Sequence, residues 1–331
     1  MRILLQVTAV TAAGMMLFLG GRQMYRRADV QETTAAVLEV LATTSETLAE
    51  TETIPETTEK RNLNDLITVE ELDAEHIFLY DLEKGEMVFC NTDADAQLYP
   101  ASITKLFSAW VALQILPEDT VITAGWELGL LQPGSSAAFI ALDSRMTVET
   151  LVEGMLLPSG NDAALVLAAA AGRRLLGNEK ATASEAVAEF VSEMNRAARA
   201  LKFQNSHFEN PDGYHAQEHY SCCADLAQIA RLALDEPTIA RCMELQKDRV
   251  TFVSGEVHIW ENTNRLINPA SSYYNPDAIG MKTGYTGSAG YCLMAAFGEA
   301  PLVVGIFGSQ DSTSRYESAA LLYEAWLALT E

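Results

Sequence analysis

The chain is short of positive charge. Against 45 Asp and Glu it sets 22 Lys and Arg, a formal net charge of −23. Nucleic acid is thereby excluded as a partner, because a phosphate backbone demands a basic surface, and solubility alone accounts for the acidity. Cysteine is scarce as well. Cys90, Cys222, Cys223, Cys242 and Cys292 form no C-x-x-C, which excludes the usual zinc ribbons and thioredoxin-like motifs. Their odd number leaves at least one free thiol in an exported, uncrosslinked chain. Cys222 and Cys223 are expected to point different ways on a helix, and all five to serve as small buried hydrophobes.

Long apolar runs are also missing, with one exception. Ile3 to Gly20 is interrupted only by Gln6 and a few Thr, with Arg2 before it and Arg22, Arg26 and Arg27 after it. Its length approaches the ~18 residues that can span a bilayer, and no A-x-A-like cleavage site follows, so residues 1–27 read as either a signal peptide or an N-terminal membrane anchor. The arginines behind it run against the positive-inside rule, yet export is the expectation. Residues 28–62 are rich in Thr, Glu and Ala and bury too little apolar surface to offset chain entropy, so they read as a disordered linker. Val37, Leu38 and Leu41 keep a short amphipathic helix open as an alternative. Residues 63–331 are expected to form one catalytic domain.

Within that domain, Ile77–Tyr80 and Met87–Cys90 flank a turn with Gly85 and predict a β-hairpin. Ile103, Leu106, Phe107, Trp110 and Leu113 form one helical stripe that starts beside Ser102 and stops before Pro117. Helices are also predicted over 148–157, from Asp162 to about Ala171, over 183–201 and over 224–234. Strands are predicted at 278–282, 291–297 and 302–307, the last two joined by a Gly298–Pro301 turn, and a final helix over 314–329. This order predicts an α+β fold: an antiparallel sheet completed by both ends of the domain, flanked by helices, with an inserted mainly helical region.

Three strings follow one another: Ser102-Ile103-Thr104-Lys105, Ser159-Gly160-Asn161 and Lys282-Thr283-Gly284. Chance supplies an S-x-x-K on the order of once in such a chain, but a K-T-G only ~0.05 times. Three residues apart on a helix, Lys105 can reach Ser102 Oγ. A neutral lysine activates serine if burial and a second cation, here Lys282, lower its pKa. The helix N-terminus offers N–H dipoles to a developing oxyanion. Ser159 can relay a proton to a departing amine, and Asn161 can hold a substrate peptide and steady Lys105. Lys282 and Thr283 on a strand edge can hold a carboxylate, while Gly284 lets a peptide lie against the strand. The expected substrate is a peptide with a free C-terminal carboxylate. Taken singly, Ser102 could be a helix cap, Ser159-Gly160-Asn161 a turn and Lys282-Thr283-Gly284 a strand end.

With these motifs stand Tyr99-Pro100-Ala101, Leu157-Pro158, Asp162-Ala163, Asn210-Pro211-Asp212-Gly213, His219-Tyr220-Ser221, Asn262-Thr263-Asn264-Arg265-Leu266 and Tyr285-Thr286. From about Asp65 onward the chain resembles the serine D-alanyl-D-alanine carboxypeptidases, low-molecular-mass penicillin-binding proteins of the DD-peptidase and β-lactamase-like superfamily. The resemblance implies that superfamily's fold and an acyl-enzyme on Ser102. It makes Lys105 the base, puts Ser159 and Asn161 in the second motif and Lys282 in the third, and pairs the Tyr285 and Ser102 N–H groups as oxyanion donors. It also implies that Arg315 helps bind the terminal carboxylate. The implied partners are peptidoglycan stem peptides ending in D-Ala-D-Ala, β-lactams as inhibitors, and the cytoplasmic membrane through the N-terminal segment. No metal or organic cofactor is implied. Members often carry a small β domain and a C-terminal amphipathic anchor, which this sequence lacks; its anchor is expected at the N-terminus, or the protein is secreted if that segment is cleaved.

Two other enzyme readings and one inert reading compete. Class A β-lactamases share the motifs but add an E-x-x-L-N loop, a string missing between Asn161 and Lys282. His215-Ala216-Gln217-Glu218-His219 spells an inverted zinc-peptidase motif, but Pro211 and Gly213 just before it predict a loop where zinc would need a helix. A catalytically inert wall-peptide-binding domain would have no use for a lysine base.

Overall fold

The computed structural model describes residues 72–298 and 301–330. The expected anchor (1–27), the expected linker (28–62) and Glu299-Ala300 of the expected turn lie outside these residues. Among the described residues no helix is long and apolar enough to cross a membrane.

The predicted hairpin forms as β1 (His76–Asp81) and β2 (Glu86–Cys90), with Gly85 at φ +69° in its turn. A short 3-10 turn, Ala101–Ile103, leads into α1 (Thr104–Leu113). Two small strands, β3 (Val121–Thr123) and β4 (Arg145–Thr147), pair across the long 124–144 connection. Then come α2 (Val148–Leu156), α3 (Asn161–Leu176) and α4 (Ala183–Ala200). Next are α5 (Cys223–Asp235), α6 (Pro237–Glu244) and the hairpin β5 (Lys247–Thr251) and β6 (Val257–Glu261). The chain returns to the main sheet as β7 (Ala278–Thr286), β8 (Gly290–Phe297) and β9 (Leu302–Ser309), and ends in α7 (Ser314–Thr330).

The main sheet is antiparallel with strand order β2-β1-β9-β8-β7, so both ends of the domain do complete it. Its strands are apolar on both faces, and their period of two sorts side chains into two cores. Ile77, Leu79, Leu293, Ala295, Val304 and Ile306 pack under α7 with Tyr316 and Leu322. Phe78, Met294, Ala296, Val303 and Phe307 face the helical region. There Ile103, Leu106 and Phe107 of the α1 stripe are buried and Trp110 and Leu113 half-buried against them, and Phe107 lies against Trp110, Phe203 and Phe208.

Three departures from the sequence expectation have physical causes. Helix α3 runs past Ala171 to Leu176 and stops at Gly177, which takes the left-handed conformation at φ +59°. Gly172, inside the helix, is a packing position: a Cβ there would overlap the Ala186 carbonyl of α4. Helix α6 begins at Pro237, which suits the first turn of a helix although it also signals a break. The β5–β6 hairpin escaped notice because three of the five β5 residues are charged and its inward anchors are few, Val250 and Trp260 among them. Trp260 Nε1 donates to the Ala138 carbonyl at 3.0 Å and so supports the segment over the second motif.

Candidate active site

The three motifs meet where the sheet edge β7 abuts the helical region. Ser102 lies in the 3-10 turn and Lys105 in the first turn of α1, so their side chains share a face. Lys105 is wholly buried, and its Nζ donates to Ser102 Oγ at 2.7 Å, to Asn161 Oδ1 at 2.7 Å and to the Asp212 carbonyl at 2.8 Å. Burial lowers the Lys105 pKa to about 8, against the opposing pull of the Asp212 and Asp162 carboxylates. Lys282 is equally buried and donates to Ser159 Oγ at 2.8 Å and to the Thr283 carbonyl at 2.9 Å. Burial, then Lys105, then Arg315 hold it well below the ordinary lysine range. The expected help from a second cation thus takes a different form: burial accounts for the lowering at Lys105, and the repulsion between the lysines weighs on Lys282.

Ser159 sits in the loop between α2 and α3 with φ +62°, a left-handed conformation that costs a non-glycine residue ~1–2 kcal/mol. The loop is held against residues 135–140. Ser136 Oγ donates to the Ser159 carbonyl at 2.6 Å, the Asn161 amide N–H to the Ser136 carbonyl at 2.9 Å, and Asn161 Nδ2 to Ser135 Oγ at 3.1 Å. Asp162 accepts from the Ala138 and Ile140 N–H groups at 2.8 and 3.0 Å. With its Oδ1 on Lys105 and its Nδ2 on Ser135, Asn161 is oriented without ambiguity.

A bulge at Ile279, followed by left-handed backbone at Gly280 and Met281 (φ +101° and +92°), re-aims β7 just before Lys282. The need for glycine at 284 is internal to the protein: a Cβ there would stand 3.0 Å from the Ser102 backbone nitrogen and from Ala101 Cβ. The close approach it permits is between the strand and the nucleophile's turn. Thr283 is buried, its hydroxyl 2.6 Å from that of Thr263, whereas Tyr285 is exposed and rests on the Tyr291 ring. Arg315, at the start of α7, reaches back under the strand; its Nη1 donates to the Gly284 and Cys292 carbonyls at 3.2 and 2.9 Å. Its buried Nε has no partner, and its guanidinium lies between the Tyr291 and Tyr316 rings.

All nine residues singled out from the sequence therefore lie in or against one cleft. Sequence reasoning assigned no part to Asp212, whose carbonyl holds Lys105 and whose buried carboxylate accepts from the Tyr214 N–H at 2.9 Å. It also passed over Ser135, Ser136 and Asp162 as supports of the second motif. The signal for Asp212 and Asp162 lay in the accompanying Asn-Pro-Asp-Gly and Asn-Asp-Ala strings. The inverted zinc spelling is not a ligand set: His219 is buried with one ring nitrogen 2.9 Å from Thr104 Oγ1 and the other accepting from the Glu209 N–H, while His215 sits by Tyr99 and Ser288. Among the described residues no group of His, Cys, Asp and Glu is placed to hold a metal ion.

A sheet capped by a terminal helix, an inserted helical region and a serine–lysine pair at their junction define the fold of penicillin-binding proteins and β-lactamase-like serine enzymes. The crystal structure of the Streptomyces K15 DD-transpeptidase superposes with a TM-score of 0.69 at 28% identity, covering 78% of this chain and 98% of that one. The chain belongs to the D-alanyl-D-alanine carboxypeptidase family of serine peptidases, whose sequence profile matches residues 64–306. It is similar to the D-alanyl-D-alanine carboxypeptidase DacF of Bacillus subtilis, 30% identical over 251 residues that make up 73% of this chain and 59% of that protein. DacA of Escherichia coli K12 is 30% identical over 270 residues, 77% of this chain and 61% of its own. The chain thus spans about three-fifths of the length of these two relatives.

Proposed function

We propose that the domain is a serine DD-carboxypeptidase that removes the C-terminal D-Ala from peptidoglycan stem peptides and is acylated by penicillins. The observation that carries this reading is the wholly buried Lys105 Nζ, 2.7 Å from Ser102 Oγ. A lysine with a pKa of about 8 has a neutral fraction at physiological pH that can accept a proton. Ser102 Oγ attacks the penultimate carbonyl while its proton passes to Lys105, and the Ser102 and Tyr285 N–H groups receive the oxyanion. Lys282, hydrogen-bonded to Ser159, supplies a proton through that hydroxyl to the departing amine, and D-Ala leaves. Lys105 passes the proton it took from Ser102 to Lys282 by way of Ser159 and is neutral again. Water then attacks the ester, Lys105 takes the water's proton and returns it to Ser102 Oγ, and the shortened peptide departs.

For the substrate carboxylate, Lys282, Thr283 and Arg315 supply charge and donors. Asn161 holds the peptide backbone as well as Lys105. We place the domain outside the cytoplasmic membrane, tethered by residues 1–27 through the 28–62 linker or released if that segment is cleaved. The support is the apolar run Ile3–Gly20 and the Thr- and Glu-rich composition that follows.

Intact-mass spectrometry of the full-length chain with and without penicillin tests the reading. One adduct mapping to Ser102, lost in a folded Ser102→Ala variant, together with D-Ala release from a peptide ending in D-Ala-D-Ala, is the expected outcome. A folded wild-type chain that takes no adduct and releases no D-Ala overturns it in favour of an inert binding domain.

A further inference from the structure

Beyond the end of β7 lies a cavity of about 280 Å³ that the mechanism does not use. Ser288 and Ala289, in the turn from β7 to β8, line it on one side, and Tyr99, three residues before the nucleophile, lines it on another. His215 touches this rim: its ring meets Tyr99 edge-on at 4.9 Å, and its Nε2 is 3.3 Å from Ser288 Oγ. The lining suits a cation. Among the described residues no Lys or Arg lines the cavity, whereas Glu75 does. The Glu75 backbone is held from both sides, its N–H on the Phe307 carbonyl at 2.9 Å and its carbonyl accepting from Asn91 Nδ2 at 3.2 Å. Its side chain lies along Gly308, where an added Cβ would stand 2.7 Å from Glu75 Cβ and 3.1 Å from its Cδ. Glycine at 308 thus gives the carboxylate its place on the wall. Gln97, whose Nε2 donates to Asn205 Oδ1 at 3.0 Å, keeps its oxygen as an acceptor, and Gln217 and Tyr220 add two more. Burial lowers the His76 pKa against the pull of Glu75, so that ring adds no charge at neutral pH. Leu98 and Phe307 supply an apolar side for an alkyl stem.

We infer that this cavity is a substrate subsite: it takes the side chain of the residue third from the substrate's C-terminus, when that side chain is an alkyl chain ending in a primary amine. The inference rests on the carboxypeptidase reading, which sets the direction of the peptide. With the terminal carboxylate at Lys282, Thr283 and Arg315, the acyl part runs the other way, past Tyr285 along the free edge of β7 and toward Ser288. Tyr285 and Ser288 are separated by at most roughly 10 Å of extended chain. The residue before the acylated D-Ala stands ~3.5 Å further along, and a lysine-type side chain adds about 6 Å, so its ammonium reaches the cavity that Glu75 lines. Glu75 is open to water, so the gain is modest: about five-fold, the upper end for an exposed ion pair.

The test measures D-Ala release by the full-length chain from two acetylated tripeptides, one with lysine before D-Ala-D-Ala and one with norleucine, which keeps the stem and lacks the amine. The expected kcat/KM is about five-fold higher for the lysine peptide. Glu75→Gln should remove that preference, and Glu75→Lys should invert it in favour of a peptide with glutamate at the same position. A penicillin adduct on Ser102 reports that each variant is folded. Equal kcat/KM for the two peptides in the wild type, or a lysine preference that survives in folded Glu75→Gln or Glu75→Lys, overturns the subsite and leaves the carboxypeptidase reading standing. A folded wild-type chain that releases no D-Ala from either peptide and takes no penicillin overturns both.

Discussion

Replacing Asp212 by Asn should move the pH dependence of acylation downward. The Asp212 carboxylate is buried and raises the Lys105 pKa against desolvation, leaving it at about 8. Two unit charges roughly 8 Å apart at an effective dielectric constant of about 20 interact by ~2 kcal/mol, so losing one lowers Lys105 by about one unit or somewhat more. The substitution keeps the backbone carbonyl that accepts from Lys105 and an oxygen for the Tyr214 N–H, so the geometry survives. At pH 6 a lysine of pKa 7 is neutral about ten times as often as one of pKa 8, while its weaker basicity returns about three-fold of that gain. Penicillin acylation of Asp212→Asn should therefore be about three-fold faster than wild type at pH 6 and about three-fold slower above pH 9. Stopped-flow acylation between pH 5 and 10 gives both limbs. An acid limb that stays near pH 8, or a uniform loss of rate at every pH, would refute Lys105 as the base tuned by this carboxylate.

Other positions give independent expectations. Ser159→Gly relieves the left-handed backbone at φ +62° but removes the relay hydroxyl; acylation should fall ~10²-fold or more while the thermal midpoint does not drop, and a variant as active as wild type rejects the relay. Gly213, at φ +78°, leaves no room for a Cβ, which would overlap the Ala101 carbonyl; Gly213→Ala should lose penicillin binding or fail to fold, and wild-type acylation would contradict that contact. Burial pushes His219 down to about 3 in the folded chain against ~6.5 unfolded. As pH falls, the unfolded chain takes up the proton first, so stability present above pH 6.5 is lost between pH 6.5 and 3. At pH 5 the loss is ~2 kcal/mol in a urea titration, and His219→Gln should shrink it; an equal loss in the variant discards His219 as the source.

What could be read from the sequence was whatever depends on side chains at short spacing. The Ser102–Lys105 pair follows from the pitch of a helix, and the three late strands and the terminal helix follow from apolar periods of two and 3.6. The unread part is of another kind. Asp212 serves Lys105 through its backbone carbonyl, a group every residue carries, so nothing in the residue type announces the bond. The bond from Trp260 to Ala138 spans more than a hundred residues and exists only once the inserted helices have packed.

The Pro158-Ser159-Gly160 string shows why even a correct turn assignment stops short of the site. By propensity the left-handed residue of such a turn is its glycine. Gly160 instead has φ −61°, and the left-handed residue is Ser159. The reason is space: a Cβ on Gly160 would lie 2.7 Å from Asp162 Oδ1 and 2.8 Å from the Ala138 backbone nitrogen, across the hydrogen bond that holds the 135–140 segment in place. Glycine is therefore needed at 160 for its missing side chain, and the strained backbone falls on the neighbour. That neighbour must keep its hydroxyl, because Lys282 donates to it at 2.8 Å. Strain at a functional residue persists where the surroundings over-determine it. Here the Ser136 bond to the Ser159 carbonyl and the Gly160 N–H bond to the Gly154 carbonyl close the loop from both sides.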